Sequence, residues 1–452
     1  IMKKIILLLS LALMSVGINS IQADSSNTNE FGSVGSKFVQ QLVKQDFAGA
    51  AARFDSTMKA AMSESQLGGL WNKLQQQAGS FKTESGTRVQ PQGKFHIVFV
   101  TCQFAKVKLD VKVVLDSQKK IAGLFFIPVQ ATASPAHAYT APSYATSSVF
   151  REKNFTVGSG EWALPGTLTL PTGDTNPLSV VILVHGSGPN DRDESIGPNK
   201  PFRDLAGGLA TKGIAVLRYE KRTKQHGEKM PADVTVQEEI IDDVLSAAAQ
   251  LRSTAGIDPK RIFVLGHSLG GIVAPRIGKA DPKLAGLILF AGAATRSTED
   301  AIIEQSRYIS SLHGKPSSEE EQGMKELMAE AEKIKKLTPA DASSQTLLFG
   351  AAPKYWLDLR AYDAIATAKS LKQPLLVLQG GRDYQVTEKE FNIWKTTLGS
   401  QPNFTFKLYP NLNHLFMAGV GMSTPAEYEK VGHVEPVVVA DIVNWIKSQP
   451  TQ

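Results

Sequence analysis

The chain has 452 residues, of which 42% are hydrophobic, and its formal net charge is +6 at neutral pH. This length allows two or three domains, and the composition is that of an ordinary globular protein with a large core. The basic residues form no stripe with interleaved aromatic side chains, so we do not expect a nucleic-acid partner. Cys102 is the only cysteine, which excludes an internal disulfide, and its apolar neighbours predict a small buried side chain.

The first 23 residues have the pattern of an export signal. Lys3 and Lys4 precede an apolar stretch over 5–16, and Ala23 supplies the small residue that signal peptidase needs. The apolar stretch is too short for a membrane-spanning helix, and no cysteine follows it to carry a lipid. We therefore expect cleavage after Ala23 and an exported protein, periplasmic or secreted, without a stable membrane anchor.

Residues 31–127 are predicted to form a small α+β domain. Apolar side chains at helical spacing predict a first helix over 31–55 and a second over 64–77, with Ser63 as its N-cap. The period then changes to that of strands in four segments, at 81–89, 94–104, 106–115 and 119–127. Helices followed by a strand meander form one compact domain. The Ala-, Ser-, Thr- and Pro-rich stretch 131–149 is expected to be a linker.

From residue 150 to residue 449 the pattern alternates between strands and helices. A hairpin over 153–170 comes first, and near-continuous Val, Ile and Leu runs follow, which are typical of strands covered on both faces. The pattern predicts a mainly parallel sheet with helices on both faces. A stretch of helical character at about 295–370 interrupts the alternation. We expect this insert to form a cap over a substrate pocket.

The pentapeptide Gly266-His267-Ser268-Leu269-Gly270 lies between a predicted buried strand and a predicted helix. It is the G-x-S-x-G pattern of a nucleophile elbow, a tight turn that lifts a serine hydroxyl above the edge of a parallel sheet. The flanking glycines suit a turn that has no room for side chains. We predict that Ser268 is a nucleophile; the alternative is a Gly-rich turn whose serine caps the helix.

A serine nucleophile needs a histidine base that a carboxylate orients, and in this fold the chain order is serine, acid, histidine. Asp383 follows a predicted strand at 374–379, and His414 follows one at 403–409. We predict that both complete a catalytic set with Ser268. Their rivals are Asp358, Asp363, His313 and His433. The histidines before the nucleophile do not fit the order, and two of them are expected to be structural, namely His185 and His267.

The tetrahedral intermediate of acyl transfer requires two backbone N–H donors. We assign one to Leu269, directly after the nucleophile, and the other to Ser187 in the glycine-rich loop 185–189. The alternative for this loop is a tight strand–helix connection without a further role. The charged run 191–194 has three interpretations: it orders the loop through an ion pair, binds a charged substrate group, or is simply solvated. The same interpretations apply to the charged run 219–222, and the sequence does not decide between them.

Together these motifs resemble those of bacterial α/β-hydrolase esterases of the EstD-like type, which are related to dienelactone hydrolases and to serine peptidases of the prolyl-oligopeptidase kind. The resemblance covers residues 150–449 and rests on the segment 184–194, the elbow, Gly381-Arg382-Asp383 and Asn413-His414. It implies the α/β-hydrolase fold, hydrolysis of short acyl esters, and a helical cap over the pocket. In dienelactone hydrolases the elbow carries a cysteine, so the serine of this chain argues against that activity.

We therefore expect an exported serine carboxylesterase that acts on a small-molecule ester and uses neither a cofactor nor a metal ion. Two other functions stay open: a peptidase or amidase of the same fold, and an envelope ligand-binding protein whose hydrolase domain is vestigial. Tyr355 and Trp356 in the cap are candidate pocket residues. Residues 31–127 resemble an NTF2-like domain of unknown function, which implies no activity. The sequence determines neither the acyl-chain preference nor the oligomeric state.

Overall fold

The computed structural model describes residues 25–92, 95–128, 139–173, 176–227, 229–231, 233–312 and 314–450. The predicted export signal and residues 131–138 of the predicted linker lie outside these ranges. Contacts between residues divide the chain into two compact units, with the described residues up to 128 in the first and those from 139 onward in the second. Within the described ranges, no helix combines the length and the apolar character that crossing a membrane requires.

The N-terminal unit packs helices against an antiparallel sheet. Its helices are α1 (Ser25–Val43), α2 (Phe47–Ala51), α3 (Ser56–Ala61) and α4 (Glu64–Ala78). Its strands, adjacent in chain order, are β1 (Phe81–Gln92), β2 (Phe95–Phe104), β3 (Lys108–Leu115) and β4 (Ile121–Pro128). Phe38, Trp71 and Cys102 are among its fully buried core residues. The prediction of one helix over 31–55 is wrong, because Gln45 adopts a φ of 58° and separates α1 from α2.

The second unit is built around an eight-stranded sheet with the strand order β12-β11-β10-β9-β7-β8-β6-β5. The strands are β5 (Phe150–Val157), β6 (Leu164–Pro171), β7 (Leu178–Val184), β8 (Ala215–Tyr219), β9 (Ile257–His267), β10 (Gly286–Phe290), β11 (Leu375–Gly380) and β12 (Phe404–Tyr409). Strands β7 to β12 pair in parallel, whereas the predicted hairpin of β5 and β6 is antiparallel. The predicted fold class, a mainly parallel α/β-hydrolase sheet with a small α+β domain before it, is confirmed.

Helices cover both faces of this sheet because its central strands are apolar on both sides. The helices of this unit are α5 (Pro201–Thr211), α6 (Arg222–His226), α7 (Asp242–Arg252), α8 (Leu269–Ala280), α9 (Thr298–Ser311), α10 (Ser318–Lys336), α11 (Pro353–Ala361), α12 (Ala364–Lys369), α13 (Glu388–Leu398) and α14 (Pro436–Ser448). Along β7, Val180 and Ile182 pack in the core that contains α7, α8 and α13. Val181 and Leu183 pack in the opposite core, with α5 and α14.

The chain between β10 and β11 forms the helices α9 to α12, within the region predicted to be the cap. The parallel strands β7, β9, β11 and β12 all end at the same edge of the sheet, where ligand sites of open α/β sheets are found. The loop with Ser187, the elbow with Ser268, and the loops with Asp383 and His414 each follow one of these strands.

Candidate active site

Ser268 lies on the sharp turn between β9 and α8. Its backbone has a φ of 53° and a ψ of −113°, a conformation that costs a residue other than glycine of order 1–3 kcal/mol and is concentrated at functional sites. The turn leaves no room for side chains beside the serine: a Cβ added to Gly266 would lie 2.1 Å from the carbonyl oxygen of Gly270. The Ser268 side chain is itself partly exposed, as a nucleophile must be.

His414 and Asp383 form a buried pair in the loops after β12 and β11. His414 Nδ1 lies 2.6 Å from Asp383 Oδ2, and the two residues are 3% and 0% exposed. The carboxylate also accepts hydrogen bonds from the side-chain amide of Gln379 and from the backbone amides of Gln385 and Val386. These donors fix the orientation of the carboxylate, which in turn fixes the imidazole ring. The predicted acid and the predicted histidine are therefore brought together.

The rival candidates are engaged elsewhere or lie outside the described residues. Asp358 forms an ion pair at 2.9 Å with an arginine of α8, and Asp363 caps α12 through its side chain. His433 lies 3.1 Å from a carboxylate of α5. His137 and His313 fall outside the described residues. Among the described candidates, Asp383 and His414 are the acid and the histidine that contact each other.

His267, the residue before the nucleophile, forms a second buried imidazole–carboxylate pair. Its Nδ1 lies 2.9 Å from Glu194 Oε2, and its Nε2 lies 3.0 Å from the carbonyl oxygen of His414. Burial lowers the pKa of His267, but the charge and hydrogen bond of Glu194 outweigh burial and raise that pKa above its usual value. Burial also opposes the charge of Glu194, yet the imidazole holds the pKa of that carboxyl below its usual value.

The charged run 191–194 orders the loop after β7. Glu194 Oε1 accepts the backbone amide of Gly186 at 2.6 Å, so this side chain joins the loop to the elbow histidine. Arg192 Nε lies 2.7 Å from a glutamate after β8, and Asp193 pairs with the buried Arg218. Asp191 accepts the backbone amides of Asp193 and Ser195. The solvated interpretation of the run is therefore wrong, because all four of its side chains form intramolecular contacts. An ion pair that orders the loop is the interpretation that the contacts favour.

The two segments that carry the predicted oxyanion donors lie beside the nucleophile. The amide of Ser268 itself donates to the last carbonyl of β10 at 2.9 Å, and the amide of Gly186 donates to a carboxylate. The next amides along the two segments belong to Leu269 and Ser187. Leu269 begins α8, and the first amides of a helix have no acceptor within it. A Cβ added to Gly186 would lie 3.1 Å from Ser268 Cβ, so the loop passes directly against the serine.

Sequence reasoning left the run 219–222 open, and Lys221 within it lies in the site. This lysine is 2% exposed, and its Nζ donates to the carbonyl oxygen of Gly186 at 2.8 Å. The same Nζ lies 2.7 Å from Glu239 Oε1. Glu239 is also buried, with 6% of its surface exposed. Sequence reasoning did not identify it as a site residue, because its position in a polar stretch before α7 gives no sign of burial. The position of Lys221, two residues after the buried strand β8, was the available signal.

The family relationship agrees with this geometry. The family model described as serine aminopeptidase, S33, matches residues 175–418. Esterase EstD of Thermotoga maritima is 39% identical over 410 residues, which cover 90% of this chain and 93% of that protein. The chain belongs to the serine hydrolase family that contains this esterase. Residues 35–124 match a family described only as a protein of unknown function, DUF3887.

Solved structures similar to this chain share much less sequence with it. The esterase Pf2001 of Pyrococcus furiosus is 17% identical with a TM-score of 0.40, covering 66% of this chain and 91% of that one. Est1E of Butyrivibrio proteoclasticus is 15% identical with a TM-score of 0.41, covering 66% of this chain and 98% of that one. The identity of 39% to esterase EstD confirms the expected resemblance to EstD-like esterases. At the level of the family, the predicted enzyme class of a serine hydrolase acting on carboxylic esters is confirmed as well.

Of the two predicted pocket residues, Trp356 makes its contacts within the cap, and Tyr355 contacts a residue outside it. Trp356 is 4% exposed, packs with Ile334 and Leu348, and donates its indole N–H to the Leu348 carbonyl at 2.9 Å. Tyr355 donates its hydroxyl to a buried carboxylate. Their role in lining a pocket stays a prediction. Within the described part of the chain, no three His, Cys, Asp or Glu side chains are grouped so as to hold a metal ion.

Proposed function

We propose that this protein is an exported carboxylesterase that hydrolyses short acyl esters with Ser268, Asp383 and His414. The observation that carries the proposal is the buried contact of 2.6 Å between Asp383 and His414, in loops at the same sheet edge as the strained turn of Ser268. Strained backbone and buried charge both cost free energy, and both are concentrated at catalytic sites. A vestigial hydrolase domain would have no reason to keep them.

In the proposed reaction, Ser268 Oγ attacks the ester carbonyl carbon while His414 Nε2 takes the hydroxyl proton. The oxyanion of the tetrahedral intermediate accepts hydrogen bonds from the amides of Leu269 and Ser187. Collapse of the intermediate breaks the bond to the alcohol oxygen, which His414 protonates, and leaves an acyl-enzyme. A water molecule then gives a proton to His414 and attacks the acyl carbon. Collapse of this second intermediate breaks the bond to Ser268 Oγ, which takes the proton back from His414, and the acid is released. Asp383 holds the ring and stabilises the imidazolium ion in both halves.

The short acyl chain rests on the resemblance to EstD-like esterases, and the cap helices α9 to α12 support a bounded pocket. A series of p-nitrophenyl esters from acetate to dodecanoate tests this. We expect the highest kcat/KM with acetate to butyrate and a steady fall from octanoate onward. A maximum at the longest chains would contradict the short-acyl proposal and indicate a lipase-like pocket.

A peptidase or amidase is the second candidate, because the matching family model is described as a serine aminopeptidase. The same enzyme preparation should be assayed with aminoacyl p-nitroanilides beside p-nitrophenyl butyrate. We expect ester turnover to exceed anilide turnover after each is corrected for its uncatalysed rate. Faster corrected turnover of an anilide would assign the amidase function instead.

The proposed export rests on the sequence pattern at residues 1–23. Expression of the full chain in a bacterial host, followed by fractionation and N-terminal sequencing of the mature protein, tests it. We expect a mature chain that begins at Asp24 in the periplasm or medium. An uncut chain confined to the cytoplasm would contradict export but leave the esterase proposal intact.

A further inference from the structure

We propose that Lys221 is a positioning residue that sets the orientation of the Gly186–Ser187 peptide, and that the cap reaches this peptide through Tyr355 and Glu239. The inference rests on the proposed function, because it concerns the amide that we assign to the oxyanion. It adds two side chains from outside the Ser–Asp–His set, and it connects the cap with the step that stabilises the transition state.

The geometry of one peptide unit carries the first step. A peptide bond is planar and trans, so its C=O and its N–H point in opposite directions, and the described chain contains no cis peptide bond. The carbonyl of the Gly186–Ser187 unit accepts from Lys221 Nζ at 2.8 Å and from Asn190 Nδ2 at 3.2 Å. The N–H of the same unit is that of Ser187, and it points away from the lysine. A flip of this peptide would remove the N–H and present a carbonyl oxygen to the oxyanion.

The preceding peptide unit, between His185 and Gly186, is held by its N–H group rather than by its carbonyl. Its N–H donates to Glu194 Oε1 at 2.6 Å, and Glu194 is 2% exposed. A buried anion therefore holds the N–H on one side of Gly186, and a buried cation holds the C=O on the other. Glycine has wide backbone freedom and no side chain that could fix its conformation. The two charged groups supply the restraint that Gly186 itself lacks.

The cost of the lysine argues for a positional role rather than for stability alone. Lys221 and Glu239 are 2% and 6% exposed, and their charged atoms lie 2.7 Å apart. Replacing a buried ion pair by apolar side chains of similar volume is often neutral or stabilising. An apolar side chain at residue 221 would fill the space, but it would leave the Gly186 carbonyl without its charged donor. What the lysine supplies is a charge-assisted hydrogen bond at one fixed point.

The second carboxylate oxygen of Glu239 contacts the cap. Its Oε2 accepts the hydroxyl of Tyr355 at 2.8 Å, and Tyr355 belongs to the cap helix α11. Glu239 lies in a π-helical turn, Gln237–Ile241, a rare form that is frequent at functional sites. The carboxylate thus joins a cap side chain to the lysine that holds the oxyanion loop. The position of α11 therefore bears on how firmly Lys221 holds the Gly186 carbonyl.

The test compares Lys221→Met with the wild type by two readouts on the full chain. The kcat for p-nitrophenyl butyrate is measured per active site, counted by fluorophosphonate titration. The Ki is measured for a trifluoromethyl ketone, whose adduct with the nucleophilic serine places an oxyanion in the hole. We expect kcat per site to fall about 10- to 100-fold, less than the 10²–10³ for complete loss of one oxyanion donor. KM should change little, and Ki should rise by a similar factor.

Three further variants make the result decisive. Arg222→Met breaks the neighbouring ion pair with Asp243, in which Arg222 Nε donates to the carboxylate at 3.0 Å, and should lower the melting temperature with wild-type kcat and Ki. Asn190→Ala removes the second donor to the Gly186 carbonyl, a side-chain amide whose Nδ2 also donates to the carbonyls of Ser187 and Gly188 at 3.1 and 3.3 Å. Because Asn190 is partly exposed, this variant should fold and show a smaller loss of the same kind. Tyr355→Phe removes only the hydrogen bond from the cap and should lie between Asn190→Ala and the wild type.

Unchanged kcat per site and unchanged Ki in Lys221→Met would overturn the inference. If that variant does not fold, unchanged values in Asn190→Ala would overturn it instead. A fall in kcat with an unchanged Ki would also contradict it, because the oxyanion site would then be intact. A wild-type protein that neither turns over the ester nor reacts with the fluorophosphonate would refute the proposed function, and the inference would fall with it.

Discussion

The two units of the chain treat buried charge in different ways. Among the described residues of the N-terminal unit, the one buried charged side chain is Asp110, which lies 2.6 Å from Arg88 and also accepts from Thr101. The second unit buries many more, and several are concentrated in loops at the carboxyl ends of its strands. They include Asp383, Glu194 and Lys221, and the buried Glu239 of the π-helical turn pairs with Lys221.

This difference indicates where the chemistry lies. Removing a charged group from water costs several kcal/mol even after relaxation, so a region that only needs to be stable avoids it. In the second unit, buried charges occur near residues with strained backbone, namely Ser268 and Glu194, whose φ angles are 53° and 50°. Pre-organised charges and strained turns are what a site for acyl transfer requires. The N-terminal unit, with its apolar core, shows no comparable set among its described residues.

The largest expected effect tests whether the chemistry lies in the second unit, at Ser268. Ser268→Ala should lower kcat for p-nitrophenyl butyrate by about 10⁴- to 10⁶-fold, because the proposed covalent step is lost. The matched control is Ser253→Ala, whose hydroxyl bonds only a carbonyl at the end of α7 and should leave kcat unchanged. Circular dichroism and melting temperature show that both variants fold. Retained activity in Ser268→Ala would contradict the assignment of the nucleophile.

The carboxylate of the site should matter through its charge rather than its shape. Asp383→Asn keeps the size of the side chain but removes the acceptor that orients His414 and stabilises its charged form. We expect kcat to fall about 10⁴-fold, as for the same change in serine protease triads, with KM much less affected. Steady-state kinetics on p-nitrophenyl butyrate measure this. A loss below tenfold would mean that the contact of 2.6 Å is structural only.

The pair of Glu194 and His267 predicts a pH dependence of stability. The lowered pKa of Glu194 gives stability that is present above its usual value of 4.5 and is lost as pH falls through its folded value. The raised pKa of His267 gives stability that is present below 6.5 and is lost as pH rises through its folded value. The contribution of the pair is therefore largest between these two pH values.

Glu194→Gln tests this dependence. We expect the free energy of unfolding to fall by about 2 kcal/mol between pH 4.5 and 6.5, because a charged hydrogen-bond acceptor is lost. The difference from the wild type should narrow above the raised pKa of His267 and below the lowered pKa of Glu194. Denaturant unfolding across the pH range measures it, with the exposed Glu429→Gln as control. A difference that is constant with pH would contradict the charged pair.

The smallest effect is expected in the N-terminal unit. Cys102 is buried in the core, and burial raises the pKa of its thiol to about 12. Cys102→Ala should leave kcat unchanged and lower the free energy of unfolding by about 1 kcal/mol, the cost of a small cavity. The wild-type thiol should not react with a disulfide reagent until guanidinium unfolds the protein. Rapid reaction of the folded protein would indicate an accessible thiol and a different role for this unit.

The parts of the site that follow strands were predictable from the sequence. Ser268, Asp383 and His414 could be chosen because the fold fixes their chain order and because each follows an apolar run. Parallel strands bring their carboxyl ends to one edge, so chain order translates into proximity. The same logic led to the loop with Ser187. Sequence alone could not show that the donors around Asp383 hold its carboxylate, because each is a local contact of a particular loop conformation.

The parts that depend on a single angle or on distant side chains were not predictable. The break between α1 and α2 depends on the positive φ of Gln45, which the apolar spacing on both sides conceals. The contact of Tyr355 with Glu239 joins residues 116 positions apart, and neither lies in a recognisable motif. A charged residue in a polar stretch is usually solvated, so the burial of Lys221 and Glu239 contradicts the commoner outcome.

The most direct test of the central claim is the site at which a fluorophosphonate attaches. The wild-type protein is treated with the reagent until esterase activity is lost, digested, and examined by peptide mass spectrometry. We predict one phosphonyl group per chain, on the peptide that contains Ser268, and no adduct in His414→Ala over the same time. An adduct on another residue, or loss of activity without an adduct on Ser268, would contradict the proposed catalytic serine.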